Sequence, residues 1–220
     1  MKKNEVILKR QSTRIYFKNG DTDFFFNWLL GIGEVFGFSH GELYFLTQKL
    51  GKSPKPDDWK NIFLSHGNYL KQKASNSDLS EQTKAQYYLA QTYSLRSAIQ
   101  FINPFSDEYL STVHQMEQAF SNAIHSLGAP IEKLTITYQD SYLPGYYLHT
   151  GDDCPTPIMI GGGDTYREDL FYFAGYPGWI RKYNVLMVDL PGQGSNPSRE
   201  LVFDVDASTP ISLCIDWLEN

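Results

Sequence analysis

Cysteine is nearly absent from this chain of 220 residues: Cys154 and Cys214 stand far apart, with no C-x-x-C spacing. A disulfide framework and a thiolate zinc site are thereby excluded, and a reducing compartment is expected. Long apolar runs are missing too. The greasiest stretch, residues 24–30, falls far short of the roughly 18 apolar residues of a membrane span. Lys2 and Lys3 open the chain, but Asn4, Glu5, Lys9 and Arg10 interrupt any apolar core of a secretion signal. A basic excess is lacking as well. The 19 Lys and Arg against 25 Asp and Glu leave a net charge of −6, which offers no basic face to nucleic acid. These absences lead us to expect a cytoplasmic protein that engages neither nucleic acid nor membrane.

Signatures of bound groups are equally scarce. There is no H-E-x-x-H, no complete G-x-G-x-x-G, and no Gly-Lys-Ser/Thr end to any glycine loop. The five histidines (His40, His66, His114, His125 and His149) form no metal-ligand spacing; His114 and His125 can share a helix face, which suits a surface or core role better than a metal. We therefore expect no metal and no cofactor. A small nucleotide-binding α/β domain is disfavoured on the same grounds.

What is present is an ordinary globular composition, 41% hydrophobic and 20% charged, with 15% aromatic residues dominated by Tyr and Phe. Such rings either line a cavity or fill the space between helices, and composition leaves both open. The chain divides near Pro130. Before it, Asp78 and Glu81 have the spacing of a capping box. Ala85, Tyr88, Leu89, Thr92, Leu95, Ile99 and Ile102 then recur at three- and four-residue steps, so they share one helical face. Asn103-Pro104 ends that helix. A second begins near Asp107 and Glu108, whose charges suit a helix N-terminus, and stops at Gly128 and Pro130. Residues 41–50 and 59–71 are also expected to be helical.

After Pro130 the period falls to two. Leu134, Ile136 and Tyr138 alternate with Lys133, Thr135 and Thr137, as in a half-buried strand. A turn at Gln139-Asp140-Ser141 returns the chain as residues 143–149. Next comes the short apolar strand Ile158-Met159-Ile160, then an irregular or helical stretch over 167–180, a buried strand over 184–188, and a helix over 209–219 with Ile211, Cys214, Ile215 and Leu218 on one face. A hairpin followed by strand–crossover–strand–helix units is the opening of an α/β sheet.

Three motifs could carry chemistry. Gly37-Phe38-Ser39-His40-Gly41 matches G-x-S-x-G letter for letter. That pattern makes a nucleophile only where a strand turns sharply into a helix, and this one lies well before any strand. We expect Ser39 to sit in a glycine-rich loop that caps a helix. Gly161-Gly162-Gly163-Asp164 follows a buried strand directly, and backbone N–H groups in such a loop can converge on an anionic oxygen. Asp189-Leu190-Pro191-Gly192-Gln193-Gly194-Ser195 ends the next strand, where open α/β sheets place their sites.

The order of these features resembles the α/β-hydrolase superfamily: Leu134-Thr135-Ile136, Leu143-Pro144-Gly145-Tyr146, Ile160-Gly161-Gly162-Gly163, Val188-Asp189-Leu190-Pro191-Gly192-Gln193-Gly194, and Ile215-Asp216-Trp217-Leu218. Within it the likeness is to the branch with an N-terminal helical lid, which includes dihydroxypseudooxynicotine hydrolase, fungal polyketide-shortening hydrolases and fermentation–respiration-switch esterases. The resemblance implies a helical lid over residues 1–129 and the first half of a hydrolase core over 130–220. It implies an oxyanion hole at Gly162, Gly163 and Asp164. It also implies a Ser, an Asp or Glu, and a His that all come after Asn220, so no catalytic residue is expected within the chain. The expected substrate is a small hydrophobic or aromatic carbonyl compound, cleaved at an ester, amide or carbon–carbon bond, with activity of the 220 residues alone doubtful. In the family's strand order a further strand pairs beside residues 158–160. Its absence would leave an open apolar edge, so we expect this chain alone to aggregate or be only partly ordered, and to form a homodimer or associate with a C-terminal half. The alternative is a non-catalytic truncated, regulatory or complementing protein that binds a partner through that edge.

Overall fold

A computed structural model describes residues 14–33 and 38–220. The basic N-terminal stretch and Gly37 of the pentapeptide lie outside the described residues. Five helices come first: α1 (Gly20–Gly33), α2 (His40–Gln48), α3 (Pro56–Ala74), α4 (Glu81–Ile99) and α5 (Asp107–Leu127). The strands β1 (Ile131–Tyr138), β2 (Ser141–Leu148) and β3 (Ile158–Ile160) follow. A broken helix, α6 (Arg167–Leu170) and α7 (Tyr176–Ile180) joined by a π-helical turn over Phe171–Gly175, crosses to β4 (Val185–Val188). A 3₁₀ turn (Asn196–Arg199) and α8 (Ser208–Glu219) complete the fold.

Helix ends obey local chemistry. The α4 N-cap is Ser80, whose Oγ accepts from Thr83 N at 3.2 Å, and not Asp78 as the capping-box spacing suggests. The reason lies one turn earlier: the Asn76 side chain accepts Asp78 N at 3.0 Å and closes its own turn, so Ser80 is the first residue to enter in extended geometry. Glu81 instead pairs with Lys84 at 2.8 Å and accepts from Ser126 of α5 at 2.8 Å. At the far end of α5, Gly128 takes a left-handed φ of 63° and returns its N–H to the last turn.

The sheet order is β1-β2-β4-β3. The β1–β2 and β2–β4 pairs are antiparallel, and β3 is parallel to β4 with Ile160 opposite Val188. Period-two alternation sorts the side chains to two faces. Tyr146, Leu148, Val185 and Met187 pack with Leu89, Tyr93, Phe120 and Phe171 on the helical face. Leu143, Leu186 and Val188 meet Leu134, Ile136 and Cys214 on the face covered by α8. Helices α4 and α5 thus share a core with the sheet, while α1–α3 cover α4 from outside around Phe26, Phe38, Trp59 and Phe63. Aromatic residues, among them Phe17, Trp28 and Phe101, fill much of this helical layer. Burial of Cys214 pushes its thiol up to about 11, so it is protonated and acts as a small apolar group.

Candidate functional site

The seam between the helices and the sheet is polar and heavily bridged. Arg96 lies on the buried face of α4. Its Nε donates to Asp169 Oδ2 at 3.0 Å, Nη2 donates to the Asp164 carbonyl, and its guanidinium stacks 4.3 Å over the Tyr166 ring. Asp169 also accepts Tyr166 N at 3.0 Å, which fixes the chain just after the glycine loop. Tyr109 of α5 reaches across the same seam. Its hydroxyl is 2.7 Å from that of Tyr166 and donates to the Gly194 carbonyl at 2.6 Å.

The two loops that leave β3 and β4 are clamped to each other by Gln193. Its Nε2 donates to the carbonyls of Gly161 (2.6 Å) and Gly162 (2.9 Å), while its Oε1 accepts Leu190 N at 2.8 Å. Asn196 Nδ2 binds the carbonyls of Asp189 (3.0 Å) and Leu190 (2.8 Å). With its carbonyls held behind it, the glycine loop has little freedom to turn. The N–H of Gly162 is taken by Thr165 Oγ1 at 3.1 Å. Among the described residues no acceptor engages the N–H of Gly163 or Asp164.

Those two residues line a cavity of about 340 Å³ at the seam. Its walls are mostly apolar and aromatic: Ile99, Ile102 and Phe105 with the polar Gln100 from the helical side, Tyr109 and Tyr166 across it, and Val202 and Phe203 from the exposed segment before α8. Of the three residues expected at the oxyanion hole, Gly163 and Asp164 line this cavity. Gly162 stands beside it with its donor occupied by Thr165.

Asp189 does something different from what its place at a strand end suggests. It is 2% exposed and accepts Arg167 Nη1 at 3.2 Å. Arg167 is also buried and donates to Glu117 of α5, and its Nε lies 3.4 Å from Glu168 Oε1, which accepts from Tyr146 at 2.8 Å. Three carboxylates therefore surround one guanidinium. Lys133 meets the far oxygen of Glu117 at 3.2 Å. Burial then raises the Asp189 carboxyl to about 8, with Arg167 opposing and Glu168 adding to the rise. The cluster ties α5 to the sheet, and none of its residues lines the 340 Å³ cavity.

Ser39 is the N-cap of α2, its Oγ accepting Glu42 N at 3.2 Å. Among the described residues, the element before it is helix α1 and no strand leads into it. Glu42 bonds His66 at 2.9 Å, and His66 bonds Ser94 at 2.8 Å. This chain of contacts stitches α2, α3 and α4 together, and Ser94 is sealed from solvent. No group of three or more His, Cys, Asp or Glu among the described residues could hold a metal ion. No helix among them is long and apolar enough to cross a membrane.

Arg96, Tyr109, Tyr166 and Phe203 belong to no motif in the sequence. Only Arg96 carried a usable signal: it lies four residues after Thr92 and three before Ile99, a charge set within an apolar face.

A helical layer docked on a hairpin-plus-parallel sheet, with a glycine loop after the parallel edge strand, is the α/β-hydrolase fold, and the chain has it. More narrowly, it resembles the branch with an N-terminal helical region. It superimposes on the crystal structure of 2,6-dihydroxy-pseudo-oxynicotine hydrolase with a TM-score of 0.68 at 19% identity, covering 86% of this chain and 53% of that one. In sequence it is similar to the hydrolase phmG of Phaeosphaeria nodorum, 28% identical over 174 residues, or 68% of this chain and 39% of that protein. It is also similar to the α/β-hydrolase ucsC of an Acremonium species, 25% identical over 215 residues, or 87% of this chain and 43% of that protein. The chain thus spans about half the length, or less, of the proteins it matches. No family model matches it.

Proposed function

We propose that this chain supplies the carbonyl-binding loop and the helical lid of a serine α/β-hydrolase. The substrate is a small hydrophobic or aromatic carbonyl compound, cleaved at an ester, amide or carbon–carbon bond. One observation carries the reading: two backbone N–H groups, at Gly163 and Asp164, with no acceptor among the described residues border a 340 Å³ cavity whose other walls, Gln100 apart, are mostly apolar and aromatic. Preorganised amides beside a largely apolar surface suit the negative charge that a carbonyl oxygen gains when a serine adds to it. The clamp from Gln193 and the contact of Arg96 with the Asp164 carbonyl hold those amides in place before substrate arrives. The nucleophile belongs to a polypeptide segment that completes the sheet beyond β3.

The test is co-expression of this chain with the sheet-completing half of a relative, followed by assay on aryl esters and by labelling with a fluorophosphonate. Turnover by the complex, with the label on its second half, is the expected outcome. A folded complex that turns over none of these esters would count against the proposal, and a label on Ser39 of this chain would overturn the assignment of roles.

A second reading is favoured by the position of β3, which pairs with β4 on one side and with no strand among the described residues on the other. In that reading the chain is a non-catalytic, complementing protein that binds a partner through this edge. A complex that forms but neither labels nor turns over would select it.

A further inference from the structure

We propose that Phe203 is the partition that sets how long an apolar ligand this site accepts, an inference that rests on the cavity reading above. Two cavities flank the glycine loop. The larger, about 340 Å³, lies at the helix–sheet seam; the smaller, about 120 Å³, lies over Ile160, Leu190, Pro191 and Pro210. Phe203 is the one residue that lines both.

Its seat is built into the backbone. Gly192 has a φ of +86°, and a Cβ placed there would come within 2.5 Å of the Phe203 ring, so the ring rests where no side chain fits. On its other flank the ring is 3.4 Å from the place of a Cβ on Gly163. The ring therefore bridges the loop after β3 and the loop after β4, directly beside the open amides. The segment that carries it is tethered at its ends. Gly192 N donates to the Leu201 carbonyl at 2.8 Å before it, and Asp206 caps Ser208 N at 2.8 Å after it. Between these ties Phe203 is 61% exposed, with its ring set against Gly192 and Gly163. A ring so placed fills no core. It divides space.

The consequence is a length limit. A straight-chain ligand anchored by its carbonyl at Gly163 fills the larger cavity, and the Phe203 ring beside the anchor closes its way into the smaller one. Removing the ring joins the two cavities and lets further methylenes leave water. Each buried methylene strengthens binding by about fourfold.

The experiment is isothermal titration of monodisperse protein with a series of linear 2-alkanones of increasing length, using wild type, Phe203→Ala and Phe203→Trp. Wild-type affinity should rise and then level off at one chain length. F203A should continue to rise by about fourfold per added carbon beyond that length, and F203W should level off earlier. Because Phe203 is largely exposed, circular dichroism of both variants should match wild type. If all three level off at the same length, the cavity binds carbonyl ligands but Phe203 is no partition, and the inference fails alone. If no alkanone binds any of them, the cavity reading fails with it.

Discussion

Buried charge decides most at the scale of single residues. Arg167 is enclosed by Glu117, Glu168 and Asp189, and one guanidinium cannot neutralise three carboxylates even with Lys133 at the edge. The cluster therefore retains a proton, and burial of Asp189 with Glu168 nearby raises that carboxyl to about 8 from 3.8. The sign of the pH effect follows. Between roughly pH 4 and 8 the folded chain binds a proton here that the unfolded chain has released, so stability falls as pH rises through that window. Asp23 works the other way. Burial alone would raise its pKa, but the backbone N–H groups of Ile15, Tyr16 and Phe17 outweigh this and hold it low. Its contribution is lost only in strong acid. Denaturant midpoints should therefore decline from pH 5 to pH 8.5 in wild type and decline less in Asp189→Asn. Parallel slopes for the two proteins would show that Asp189 does not hold the proton.

Among elements, the two loops that leave the parallel strands are the ones that build the site, and Gln193 joins them. Gln193→Leu would leave the carbonyls of Gly161 and Gly162 and the N–H of Leu190 without their side-chain partner. Of these Leu190 is the buried one, and a buried unsatisfied group costs about 1–3 kcal/mol, so urea unfolding of the variant should show a loss in that range; an unchanged midpoint would mean water replaces the side chain freely. Much at this scale was legible beforehand. Periodicity announced α4 and α5, alternation announced β1, and Gly161-Gly162-Gly163 announced a loop without side chains beside a strand end. Helix α1 was not legible: Phe24, Phe25 and Phe26, then Trp28 and the glycines 31 and 33, offer no polar face, and the helix exists because neighbours cover it. Asp189 misled for a related reason. Its position at a strand end suggests a site, but its partner Arg167 comes from the crossover, and no local pattern reveals which way a carboxylate at a strand end will turn. Tyr109, Tyr166 and Phe203 were invisible because their roles arise only when distant segments meet.

On the scale of the whole molecule, the fold is a sheet covered by α4 and α5 on one face and α8 on the other, with β3 at its edge. The cavity forms where the helical layer overhangs the ends of the parallel strands, the place where open α/β sheets collect their loops. Arg96 and Tyr109 cross this seam near the cavity and each binds a backbone carbonyl on the loops after β3 and β4, with the Tyr166 hydroxyl bonded to that of Tyr109. The seam is thus arranged to hold two amides still. The most direct measurement is a titration of the isotopically labelled protein with methylphosphonate, a tetrahedral oxyanion, followed by amide NMR. The account predicts downfield shifts at the Gly163 and Asp164 amides with little change at Gly162, whose proton already belongs to Thr165. Shifts centred on any other part of the chain, or none at saturating phosphonate, would contradict it.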